Sequence, residues 1–170
     1  AIRRLHADGL ERMRSLPGVE SASSTIMLPL SGGYLGDGYV WPEGDDQPSD
    51  RGRPMVFFDR VGAGYLATMG ASLRRGREFT ERDDPTRAPV AVVNETFASR
   101  FWPAQEALGK RFRTSPTGPL IEIVGVVADG KYNSLGEDPQ GHVYQPLRQG
   151  HAPSSFSFVR RSSSGVGSCV

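Results

Sequence analysis

Residues 90 to 113 read VAVVNETFASRFWPAQEALGKRFR, and this stretch decides between two kinds of protein. Its Gly109-Lys110 pair invites a phosphate-binding reading. A P-loop, however, needs a glycine five residues before the Gly-Lys pair, a Ser or Thr after it, and a helix that follows the turn. Here Ala104 stands at the first position and Arg111 at the second, and the helical pattern comes before the turn. No nucleotide is cradled by such a segment.

The stretch reads instead as strand, helix, turn, strand. Val90, Ala91, Val92 and Val93 form a short β-prone run behind Pro89. Asn94 is placed to cap a helix, a role whose loss costs about 1 kcal/mol, and Glu95 sits where the helix dipole favours a carboxylate. Phe97, Ala98, Phe101 and Trp102 fall on one helical face, which predicts core packing against the strand at 121–127. Pro103 ends the helix, and Gly109 permits a turn into a strand over 110–113.

The whole chain has 170 residues, enough for one domain or two small ones sharing an interface. Twenty basic against nineteen acidic side chains leave a formal charge of +1, so no bulk field draws in nucleic acid or an anionic membrane. Arginine outnumbers lysine 18 to 2, and the arginines are scattered, Arg74, Arg75 and Arg77 being their densest group. The single cysteine, Cys169, excludes an intrachain disulfide and is poorly placed for catalysis. Apolar runs are only a few residues long, so none spans a bilayer. The sequence opens inside an amphipathic pattern without an initiator Met or signal peptide, as expected of an excised fragment.

Residues 2 to 16 predict a helix with Ile2, Leu5, Met13 and Leu16 on or near one face, ended by Pro17-Gly18. A strand follows from Val19 to about Leu28. Residues 29–54 predict a long loop or hairpin around the apolar knot Tyr39, Val40 and Trp41. Met55–Val61 and Ser72–Arg75 read as strands flanking a short helix over 64–69 closed by Gly70, and Thr80–Asp83 as a turn or one capped helical turn. Leu120–Ala128 is the strongest strand, with Gly125 marking a bulge or a close neighbour. His142–Gln145 and Ser155–Arg160 are weaker strands, and the tail SSSGVGSCV has the composition of a disordered end.

Candidate chemistry fails by spacing. Glu43, Asp45, Asp46 and Asp50 lack the alternating ligand positions of a calcium loop, and Glu81, Asp83 and Asp84 likewise read as solvated. His6, His142 and His151 lie far apart, with surface or capping roles as the default. No G-x-S-x-G elbow is present, and Ser162–Ser164 belong to the Gly/Ser tail. No catalytic, cofactor-binding or metal-binding residues are assigned, and no cofactor is expected.

Four stretches taken together resemble the extracytoplasmic core domain of MacB-like and FtsX-like ABC transporter permeases. They are LPGVESAS (16–23), VGAGYLATMGASLRRGREFTERD (61–83), APVAVVNETFASRFWPAQEALGKRFR (88–113) and EIVGVVADGKYNSLGEDPQGHVYQPLRQ (122–149). Their order and spacing carry the resemblance, since each motif alone is weakly specific. It implies an α+β, mixed α/β fold in two parts. Residues 1–65 with 154–170 would form a porter-like part, incomplete beside the family's further helix, strand and helix, and 66–153 a Sabre-like part. It also implies a non-catalytic domain on the periplasmic side of the bacterial inner membrane, with ATP chemistry left to a separate subunit or domain. Expected partners are the membrane-spanning remainder of the permease, that ATP-binding unit, and a periplasmic adaptor or second permease copy. Motion would reach the domain as a relative displacement of two stems, the first helix and the returning chain. The competing readings are a free-standing periplasmic binding or assembly domain of similar fold and, third, an enzyme.

Overall fold

The computed structural model describes residues 2–30, 36–47, 49–132, 134–150, 157–162 and 165–169. Helix α1 (Ile2–Arg14) leads into strand β1 (Val19–Thr25), followed by the short strands β2 (Gly36–Gly38) and β3 (Trp41–Pro42). Strand β4 (Val56–Val61), helix α2 (Tyr65–Met69) and strand β5 (Leu73–Gly76) come next. The opening stretch folds as β6 (Val90–Asn94), α3 (Glu95–Phe101) and β7 (Arg111–Arg113), and the chain continues through β8 (Ile121–Val127), β9 (His142–Pro146), β10 (Ser157–Ser162) and β11 (Gly165–Cys169).

These strands share one mixed sheet, ordered β11-β10-β1-β4-β9-β6-β8-β7-β3, with β2 paired to β4 and β5 to β8. The pairs β4–β9 and β6–β8 are parallel and the others antiparallel. The expected mixed α/β class is what the chain adopts.

Two cores cover the faces of the central strands, and β6 shows why. Successive strand side chains point to opposite faces. Accordingly Ala91 and Val93 join one core with Phe97, Trp102, Phe112, Ile121 and Ile123, while Val90 and Val92 join the other with Tyr65, Leu66, Phe79 and Tyr144. A strand buried on both faces is therefore apolar from Val90 to Val93. Asn94 caps α3 as expected, its side chain accepting the Phe97 N–H. Phe97 is fully buried and its ring lies 5.5 Å from that of Phe112 and 4.7 Å from that of Phe101, which is itself only partly buried.

Gly125 is the bulge anticipated. Ala91 pairs with Ile123 but Val92 pairs with Gly125, so β8 carries one extra residue there. A Cβ on Gly125 would stand 2.4 Å from the Arg77 carbonyl oxygen, which explains the glycine by close approach.

A third, smaller cluster of Leu10, Met13 and Ala22, with Val19 and Phe158 packed against it, seats α1 on β1 and β10. His6 stacks on Phe158 at 5.8 Å. The first helix and the returning strand thus form one packed flank.

Three expectations need correction. Leu16 is half exposed and Leu10 takes the buried position, because the helix ends at Arg14 and the turn rotates Leu16 away. Strand β1 stops at Thr25, where the chain turns over the Thr25 hydroxyl. The tail is not a disordered end over 165–169, since β11 pairs antiparallel with β10 from Ser162↔Gly165 to Phe158↔Cys169. Gly and Ser lack intrinsic strand preference, but a neighbouring strand edge supplies the hydrogen-bond partners that composition cannot reveal.

Candidate functional site

The most unusual chemistry lies on the face of the sheet beneath α2, where β1, β4 and β9 meet. Strict alternation along β4 places Phe57, Asp59 and Val61 on this face and Val56 and Phe58 on the other. Parallel pairing sets Asp59 opposite Tyr144 and Phe57 opposite His142. Tyr65, from the first turn of α2, closes over them with its ring 6.3 Å from that of Tyr144, and Tyr132 approaches from the segment after β8.

Asp59 is 2% exposed. Its Oδ2 stands 2.8 Å from the Thr25 hydroxyl, and its Oδ1 accepts the Arg60 N–H at 2.7 Å. Burial pushes the carboxyl up to about 7, against the downward pull of Thr25 and of the Arg60 and Met27 backbone. The same burial raises the Tyr65, Tyr132 and Tyr144 phenols, so all three stay protonated.

His142 corrects the surface or capping role expected of it. It is 1% exposed, its ring stacked on Tyr132 at 3.9 Å and tilted against Tyr144 at 4.5 Å. Neither ring nitrogen has a hydrogen-bond partner, and burial lowers the pKa to about 3. It is a neutral aromatic core residue, without the partner a general base or metal ligand requires. His6, by contrast, meets the Ser24 hydroxyl through Nε2 at 2.7 Å. His151 lies outside the described residues.

The other candidates resolve into structural pairs. The Gly109 N–H donates to the Ile123 carbonyl at 2.8 Å, and the Lys110 N–H to that of Ala107, so these amides are committed to the fold rather than open to a phosphate. Glu43 pairs with Arg111, and Asp45 makes a two-pronged bridge to Arg53, whose guanidinium also lies 4.9 Å from the Trp41 ring centre. Trp41, Asp45, Asp46, Gln47 and Arg113 border an open cleft of about 310 Å³ at the β3–β7 end of the sheet. Asp83 takes Arg77 in a two-pronged bridge and accepts the Thr80 N–H. These contacts hold its carboxyl low against the upward push of burial. Glu81 meets Arg148, and Arg74 and Arg75 meet Glu95 and Glu106. Among the described residues no group of three or more His, Cys, Asp or Glu side chains is arranged to hold a metal ion.

Sequence reasoning passed over Asp59 entirely. The signal that could have found it is a lone acid inside the apolar run Val56–Val61, at a position whose i±2 neighbours are both core residues.

Comparison with known proteins adds the lineage. The profile of the MacB-like periplasmic core domain matches residues 2–166. No curated protein matches the sequence. Among solved structures, the periplasmic region of MacB from Actinobacillus actinomycetemcomitans superposes with a TM-score of 0.62 at 16% identity, over 93% of this chain and 65% of that one. The extracellular domain of the noncanonic ABC-type transporter YknZ from Gram-positive bacteria gives 0.60 at 12% identity, over 92% of this chain and 72% of that one. The chain thus spans just under two thirds of the MacB region it resembles. Among the described residues no helix is long and apolar enough to cross a membrane.

Proposed function

Because the chain belongs to the MacB-like periplasmic core domain family, the extracytoplasmic domain of MacB-like ABC transporter permeases, we propose that it is a non-catalytic relay of ATP-driven motion. In this reading it is joined to membrane-spanning segments of the same permease and works with an ATP-binding subunit or domain across the membrane. A substrate, a periplasmic adaptor or a second permease copy is contacted by its far end. Residues 1–65 with 154–170 act as the porter-like part, and 66–153 as the Sabre-like part.

One observation supports a moving relay most directly. The flank of α1, β1, β10 and β11 meets the remainder of the sheet through a β1–β4 pairing of a single register pair, Thr25↔Val61, whereas β1 and β10 pair over six. Helix α2 also packs across this seam, with Val159 of β10 in the core of Tyr65 and Leu66, so the displacement we propose is a sliding of packed elements where backbone bonds are few.

The test is a reversible cross-link in the full-length permease. Ile26 and Arg60 face one another across the junction, the Ile26 N–H donating to the Arg60 carbonyl at 3.1 Å. Antiparallel neighbours of this kind have Cβ atoms about 5 Å apart, within reach of a disulfide. With Cys169→Ser as background, Ile26→Cys with Arg60→Cys should abolish transport when oxidised and restore it on reduction, while ATP hydrolysis persists. Normal transport with the cross-link fully formed rejects the relay and leaves a static docking platform.

A further inference from the structure

Thr25 Oγ1 lies within hydrogen-bond distance of the Met27 carbonyl oxygen at 2.7 Å, Asp59 Oδ2 at 2.8 Å and the Met27 N–H at 3.2 Å, with the Tyr65 hydroxyl also beside it. A hydroxyl owns one proton and two lone pairs. An ionised Asp59 only accepts, so Thr25 would then face two acceptors with one proton, leaving one short oxygen–oxygen contact empty. A protonated Asp59 resolves this contact. Asp59 Oδ2 carries a proton and donates it to Thr25 Oγ1, Thr25 donates to the Met27 carbonyl, and Oγ1 accepts from both Asp59 and the Met27 N–H. Asp59 Oδ1 remains free to accept the Arg60 N–H. The short Thr25 contacts and the burial of the carboxyl thus favour the neutral acid.

The surroundings agree. Asp59 faces Thr25 of β1, Tyr65 of α2 and Tyr144 of β9, with Tyr132 and the neutral His142 beyond them. The cations nearby are engaged elsewhere. Arg161 of β10 donates to the Thr68 carbonyl, and the Arg60 guanidinium lies against Gly150. Glu78 accepts the Leu66 and Ala67 N–H groups of α2. Among the described residues no cation pairs with Asp59, and burial sets its titration near 7.

Its position gives the proton a consequence. The Thr25–Asp59 contact is the buried side-chain tie between β1 and β4, whose backbone link is limited to Thr25↔Val61 and the flanking Ile26–Arg60 and Gly62–Ser24 bonds. We propose that Asp59 is a proton-operated latch of this junction: as a neutral acid it completes the hydrogen-bond chain tying β1 to β4, and release of its proton to solvent breaks that chain and loosens the flank of α1, β1, β10 and β11 against the rest of the sheet. The inference concerns the folded domain and does not rest on the transport reading.

Hydrogen exchange on the 170-residue chain tests it, with amide rates corrected for their intrinsic pH dependence. Protection of the Ile26 and Gly62 amides should fall about tenfold or more between about pH 6 and about pH 8, while the Val93 amide in β6 stays unchanged. Asp59→Asn keeps the arrangement without a titratable proton, its amide N–H donating to Thr25 and its oxygen accepting from Arg60. Its junction should be protected equally at both pH values. Infrared spectra of the wild type supply a readout independent of any variant. A protonated carboxylic acid band that bleaches over the same interval supports the latch, and the absence of any such band at about pH 5.5 overturns it. Flat protection in the wild type, or an unaltered pH dependence in Asp59→Asn, also overturns it.

Discussion

The side-chain oxygen of Asn94 accepts two backbone N–H groups at once, from Phe97 at 3.1 Å and from His142 at 2.8 Å, 48 residues further along the chain. Its amide nitrogen donates to the Gln140 carbonyl at 2.7 Å. One fully buried side chain therefore caps α3 and fixes the start of β9. The sequence argument foresaw only the cap.

Asn94→Ala should accordingly destabilise the domain by on the order of 3 kcal/mol, since the lost cap is joined by a buried amide left without a partner. Asn94→Asp retains the acceptor but sets a carboxylate oxygen against the Gln140 carbonyl, so it should not restore full stability. Urea melts decide the matter, and a loss near 1 kcal/mol for the alanine variant would mean that the His142 bond contributes nothing.

Phe97 and Phe101 share a helix face but not a depth, Phe97 being fully buried and Phe101 only partly. Phe97→Ala should cost about 3–5 kcal/mol and Phe101→Ala clearly less. Equal losses in the same melts would contradict this ordering of the core.

Gly125→Ala drives a methyl group against the Arg77 carbonyl, a backbone atom that cannot rotate away. A loss of about 2 kcal/mol or more is expected. Gly109→Ala enters open space and is opposed only by its φ of 78°, so about 1 kcal/mol is expected there. Thermal melts giving Gly109→Ala the larger loss would refute the close-approach explanation.

Two buried groups oppose each other in their pH dependence. Asp59 is raised from 3.8 to about 7 in the folded chain, so its contribution is greatest below pH 3.8 and is lost as pH rises to about 7. His142 is lowered from 6.5 to about 3, so its contribution is present above pH 6.5 and is lost as pH falls towards 3. Each amounts to at most about 5 kcal/mol, with opposite slopes over nearly the same interval. His142→Phe, which removes two unsatisfied nitrogens from an aromatic stack, should leave stability near neutral pH unchanged or improved. It should also make the variant more stable at about pH 5 than at about pH 8. Adding Asp59→Asn should flatten that slope, and denaturation midpoints across pH that keep it would show that another group is responsible.

Local signals along this chain were legible because they are short-ranged. The β-branched run, the cap and the apolar face from Val90 to Trp102 place β6 and α3 almost to the residue, and Gly125 marks the bulge in β8. Spacing alone also dismissed the phosphate loop and the calcium loop, because those sites need consecutive backbone geometry that sequence displays directly. The ordered motifs of 16–149 pointed to the family whose profile spans 2–166.

Tertiary structure decided what depends on partners distant in the chain. Whether the Gly/Ser tail forms a strand depended on β10 offering an edge, and whether Leu10 or Leu16 is buried depended on where α1 meets β1. His142 carries the same side chain on a surface or in a core, and only the rings of Tyr132 and Tyr144 make it a neutral core residue. Asp59 is an acid by sequence, and only the fold buries it and sets its carboxyl against the hydroxyl of Thr25, 34 residues away.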